Sequence, residues 1–206
     1  MSQDDLAPAP ARRRDSAATR AAILKAALET FTERGYDGAG LREIAGAAGA
    51  DTRLISRYFG SKEGLFAEVV DLAYEKSMMM TPEHNADAAR TLLTGEGGKE
   101  GDGLLLTLRS VSNPRAAAIM RDSIERNYQR RLADALPGTD ATGRSAVLIA
   151  ICAGVLLNRV LLGHTALNSP DTERLIPYLH AALDAVAKAP AADGPVGQPR
   201  DESTEG

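Results

Sequence analysis

Tryptophan is absent from this 206-residue chain, and only three phenylalanines and five tyrosines supply aromatic faces. Cysteine occurs once, at Cys152, which excludes a disulfide framework and any zinc site built from thiolates. The three histidines, His84, His164 and His180, are too scattered to announce a metal site, so neither metal nor cofactor is expected. No stretch alternates β-branched with polar residues, which excludes the usual strand signal. The N-terminus has no apolar core of signal-peptide length. The most apolar run, Ala146 to Leu157, is 12 residues long and stops at Asn158 and Arg159. Roughly 18 residues are needed to cross a bilayer, so a cytoplasmic protein with no membrane partner is expected. Catalytic signatures are also missing. Cys152 has no adjacent histidine and reads as a small buried hydrophobe. The glycine-rich segment Gly95–Gly103 lacks the Lys–Ser/Thr and the preceding strand of a phosphate loop. No enzyme is expected.

Positive charge is in short supply too. The chain carries 24 basic and 28 acidic residues, a net charge of −4 that argues at first against a nucleic-acid partner. The distribution matters more than the total, because residues 12–64 hold ten basic and seven acidic residues. The acid lies further along. Such a chain has modest non-specific affinity for DNA and depends on specific contacts.

What the sequence does contain is helical periodicity. A first helix is expected from a Ser16 cap to Arg34, with Ile23, Ala27 and Phe31 on one face and Gly35 closing it. Leu41–Ala48, Thr52–Tyr58 and Ser61 to about Met79 read as three more. Gly95–Gly103 is expected as a loop. Leu104–Val111, Pro114–Leu136, Gly143–Gly163 and Asp171–Lys188 complete an all-α reading. Pro114 and Pro170 fall at helix starts, whereas Pro177 is expected to kink the last helix. The organisation read along the chain is a disordered basic arm (1–15), a helical N-terminal segment (16–75), a helical C-terminal segment (76–189) and a disordered acidic tail (190–206).

The stretch from Leu41 to Phe59 meets the demands of a helix-turn-helix. Gly49 supplies the positive φ of the turn, and Ala45, four residues earlier, is small enough for a steep crossing. Leu41, Ile44, Ala45 and Ala48 follow the i, i+3, i+4, i+7 spacing of one inward face. Asp51 is a good N-cap, and Ile55 and Tyr58 point to the core. Arg53, Ser56 and Arg57 then share the outer face of the second helix, beside Thr52. Arginine bonds guanine bidentately, and hydroxyls reach phosphates or base edges.

The order Thr19–Arg20, Ile23–Leu24, Ala26–Ala27, Phe31, Gly35–Tyr36, Ile44–Ala45, Gly49, Tyr58–Phe59, Ser61–Lys62–Glu63 and Leu65–Phe66 resembles the N-terminal domain of TetR/AcrR transcriptional regulators. The likeness covers about residues 16–75. It implies an N-terminal three-helix DNA-binding domain joined to a C-terminal helical regulatory and dimerisation domain. It further implies a homodimer that represses from a palindromic operator in double-stranded DNA and is released by a small-molecule effector. By this resemblance Arg42 starts the second helix on the DNA side, and Thr52, Arg53, Leu54 and Arg57 fall on base-reading positions. Ser56, Tyr58 and Lys62 fall on positions that touch or support the phosphate backbone. The family often has Tyr in place of Ser56 and Thr or Ser in place of Gly40. Each difference shortens or removes a backbone contact, for which the Arg12–Arg14 cluster could compensate by reaching phosphate or the minor groove, the alternative being a solvated tail.

For the C-terminal half, the candidate effector-binding residues are Leu104, Leu108, Met120, Ile124, Tyr128 and Leu156. Arg109, Asn127, Asn158 and Arg159 are possible polar anchors. With only Tyr128 and Tyr178 beyond residue 74, stacking of flat cations is poorly served, so an aliphatic or weakly acidic effector is expected. The helix over Ser145–Leu162 and a seam of Ile176, Leu179, Leu183 and Val186 are expected to build a four-helix dimer interface. Two other readings stay open: a dimeric DNA-binding protein with no effector, and a small-molecule-binding or catalytic helical protein that has lost DNA binding.

Overall fold

The computed structural model describes residues 10–75, 77–96 and 101–190, and among these every regular element is helical. Helix α1 (Pro10–Gly38) breaks its helical geometry at Gly35, where φ is 71° and ψ is 176°. It begins six residues before the expected Ser16 cap, so residues 10–15 are helical and not part of a disordered arm. The Ser16 hydroxyl instead lies 3.0 Å from the Tyr58 hydroxyl. The side chains of Arg12–Arg14, like residues 1–9 and the tail from 191, fall outside the described residues.

Short helices α2 (Leu41–Ala47) and α3 (Thr52–Phe59) follow, then α4 (Lys62–Glu75), which stops before the expected Met79. Helix α5 (Asn85–Thr94) lies in a stretch where the periodicity announced nothing. Helix α6 (Gly101–Ser110) starts inside the glycine-rich segment that was expected to be loop. Helix α7 (Pro114–Ser123) opens as the sequence requires, with Pro114 in the first turn and the Asn113 side chain accepting from the amides of Arg115 and Ala116. It widens into a π-helical stretch over Ile124–Gln129 before α8 (Arg130–Ala135).

Helix α9 (Ala141–Leu156) also widens, over Leu157–Leu161. The two together run 21 residues, with a mean hydropathy of 1.7 over an 18-residue window, long and apolar enough to cross a membrane by length and composition alone. The expectation of a run too short to span is thus corrected: flanking residues extend the helix past its purely apolar segment. Its packing is that of a core helix on one side. Leu148, Cys152 and Leu156 are buried, and the buried Arg144 donates to the carbonyls of Ala187, Thr139 and Pro137. The last helix, α10 (Ile176–Ala187), follows a 3-10 turn (Thr172–Leu175). Pro177 therefore sits in the first turn of α10 and kinks nothing, because its missing N–H is one that a helix start leaves unused.

Two cores result. The first joins Ile23, Phe31, Ile44, Ile55, Leu65, Phe66 and Val69, and it is closed from the C-terminal half by Leu106, Ala116 and Met120. Phe31, Tyr36 and Phe66 pack ring to ring at its centre, with centroids 4.9–6.1 Å apart. The second gathers Met80, Leu92, Tyr128, Leu132, Leu148, Cys152, Leu156 and Leu183.

Candidate nucleic-acid interface

The turn between α2 and α3 is built from the residues that its spacing named. Gly49 has φ 63°, a conformation costly for a side chain with a Cβ. The amide of Ala50 closes the turn on the Ala45 carbonyl at 2.9 Å. Ile44, Ala45 and Ile55 are buried, with Leu41 and Ala48 packed beside them. The Asp51 carboxylate caps α3, accepting from the Arg53 amide at 2.7 Å. These contacts fix the rotation of α3, and so decide which side chains look outward.

Arg53, Ser56 and Arg57 are exposed on that outer face, Thr52 is half-buried at its start, and Arg42 is exposed on α2. Leu54, by contrast, packs partly against the first core. Tyr58 is spent on support, since its ring packs on the core and its hydroxyl meets Ser16. Lys62 is half-buried, with its ammonium 4.7 Å from the centre of the Tyr36 ring. Charge pairing separates the cations into two groups. Arg20, Arg34 and Arg115 are neutralised by Glu68, Glu43 and Glu63. Arg42, Arg53 and Arg57 enter none of the described ion pairs. Their charge is left for a partner on one side of the helix-turn-helix.

Two family models match in chain order: bacterial regulatory proteins of the tetR family over residues 23–69, and a tetracyclin repressor-like C-terminal domain over residues 85–186. The chain belongs to the TetR family. As in other TetR-family chains, the N-terminal unit is a DNA-binding helix-turn-helix. The segment is 43% identical over 56 residues to the HTH-type transcriptional repressor NicS of Pseudomonas putida, covering 27% of this chain and 26% of that protein. It is 39% identical over 70 residues to the HTH-type transcriptional regulator RutR of Escherichia coli, covering 34% and 33%. The chain thus matches about a quarter to a third of the length of these curated relatives. A solved TetR-family regulator from Rhodococcus shares the fold at a TM-score of 0.61 and 19% identity, covering 83% of this chain and 99% of that one.

In this TetR-family chain the expected effector residues do not all meet. Leu104, Ile124, Tyr128 and Leu156 belong to the second core. Leu108 is 37% exposed, and Met120 lies in the first core under the DNA-binding unit. Three of the polar candidates are already occupied. Arg109 donates to the carbonyls of Thr32 and Glu33 at the end of α1, at 2.7 and 2.8 Å. Asn127 donates to Asp71 at 2.7 Å, and Asn158 to the Gly154 carbonyl at 2.8 Å. The residues that sequence reasoning missed are those joining the two halves. Ser110 accepts from the Tyr36 amide at 3.0 Å, Asn113 donates to Asp37 at 2.7 Å, and Ser123 donates to Asp71. All are polar and non-local, so no spacing rule finds them.

Proposed function

We propose that the chain is a homodimeric transcriptional repressor that holds a palindromic operator and lets go when a small molecule enters its C-terminal domain. The observation that carries DNA reading is the set of unpaired arginines on the exposed face of α3. One recognition helix reads few bases, so a two-fold pair set about 34–36 Å apart reads two half-sites in one operator. The partner in assembly is a second copy of the chain. On α10 the expected seam is turned inward: Leu183 is buried, and Ile176, Leu179 and Val186 pack on the second core. The face left outside is Tyr178, Ala181, Ala182 and Ala185, with Tyr178 75% exposed. Val147, Ala146 and Ala150 of α9 are exposed as well. Small and apolar residues on two neighbouring helices suit an isologous four-helix contact. That contact also accounts for the apolar length of α9 without a membrane and supports a cytoplasmic protein.

A binding role, not a catalytic one, fits the chemistry within. Burial pushes the Cys152 thiol up to about 12, which leaves no thiolate to act as nucleophile. Footprinting of the full chain on genomic fragments beside its own gene tests the proposal. Two protected half-sites about one helical turn apart are expected. A chain that protects no sequence above background DNA is no operator-reading repressor. A compound screen for release from that DNA then separates an effector-controlled repressor from one whose helical half only dimerises.

A further inference from the structure

One charge in the C-terminal domain has nowhere to go. Arg159 lies three residues beyond Leu156, the last of the buried Leu148, Cys152 and Leu156 of α9, and is itself half-buried. The π-helical turn at Leu157–Leu161 carries it. Its Nε is buried and finds no hydrogen-bond partner. It enters none of the described ion pairs, and Glu96, the residue after Gly95, is exposed and unpaired among them. The guanidinium lies against Gly95, the left-handed residue that ends α5, so closely that a Cβ there would sit 2.9 Å from Nη1 and 3.1 Å from Nη2. The carbonyl end of α5 favours a cation and holds the group in place. A helix end does not, however, saturate five N–H donors.

We propose that Arg159 anchors an anionic effector, an apolar monocarboxylate whose tail enters among Leu104, Ile124 and Leu156. This rests on the effector reading given above and names its chemistry. A planar guanidinium with free donors selects a flat two-oxygen anion over a hydroxyl or a cation. The other polar candidates are occupied, and the Tyr128 hydroxyl already donates to the Met78 carbonyl at 2.7 Å. The second core around these residues is apolar, and its aromatic members Tyr74 and Tyr128 stack on each other at 6.2 Å. Gly95 has φ 76°, so a side chain there would be strained as well as crowded against the guanidinium.

Decanoate and decanol, which differ only at the head group, test this on the full-length protein by calorimetry and thermal melting. Wild type is expected to bind decanoate about tenfold or more tighter than decanol. Arg159→Met keeps decanol binding and loses the preference, and Arg159→Lys keeps part of it. Without ligand, Arg159→Met is expected to melt at most about 2 °C below wild type, since only the favourable charge at the helix end is lost. Equal binding of the two compounds by wild type overturns the anchor and leaves the effector site standing. So does an Arg159→Met protein that still prefers decanoate, or one that melts several degrees lower and so reveals a structural partner. Binding of neither compound by wild type removes the effector site and the anchor together.

Discussion

Arg53 and Lys62 are both cations near the proposed DNA surface, but their surroundings give them different work. Arg53 is exposed and free of the described ion pairs, on the first turn of a capped helix. Arg53→Ala is expected to cost about 1–3 kcal/mol on the preferred operator and to flatten discrimination at one base position, read by competition binding. Lys62 is half-buried above Tyr36, so its loss removes packing as well as charge. Lys62→Ala should weaken binding evenly across sequences, lower the salt slope by about one, and reduce stability by about 0.5–1 kcal/mol. An unchanged melting temperature would detach Lys62 from the Tyr36 ring. At the other end of the molecule Asp184 joins α10 to α5. The Lys188 ammonium, and then the Asn85 amide, hold its carboxyl below the ordinary aspartate value of 3.8. A depressed carboxylate stabilises the fold above that value, and the contribution disappears as pH falls through its lowered one. Asp184→Asn should therefore melt lower than wild type near neutrality and lose less on acidification from pH 5 to 3.

Between helices, one contact that ties the two halves together is backbone on backbone. Gly35 approaches the Arg109 carbonyl at a distance that leaves no room for a methyl group, and the Arg109 side chain closes over the end of α1. Gly35→Ala is expected to cost at least about 2 kcal/mol, from positive φ and the clash together, as measured by denaturant unfolding. The helix-turn-helix was legible because its demands are local: a small residue, a glycine and a cap within a dozen positions. Longer-range matters were not. Helix α5 presents Ala88, Ala89, Leu92 and Leu93 inward, a stripe half made of alanine, and its short length gives periodicity little to work on. The π-helical turns insert residues that shift the register, which a fixed period cannot follow. Spacing found the apolar face of Ile176, Leu179, Leu183 and Val186 correctly but could not say what covers it. Leu183 fills this chain's own core, and the alanine face opposite is the one left outside. Likewise Arg109, Asn127 and Asn158 have the chemistry of anchors, and only the fold shows that each is already hydrogen-bonded.

For the whole molecule, the proposed assembly rests on the outward faces of α9 and α10. A charge placed there, as in Val147→Asp or Tyr178→Glu, touches no buried contact of the protomer. Each should give a folded monomer by sedimentation, with operator affinity reduced by two orders of magnitude or more as the paired half-sites are lost; a dimer of unaltered mass would move the interface elsewhere. The same division by region governs charge. The arginines of α2 and α3 stand unpaired on one flank, while the excess of acid belongs to the rest of the chain. A duplex approaching the arginine flank is drawn in, so collisions are sorted by orientation before any base is read. Added salt will then slow arrival at the operator more than it speeds departure.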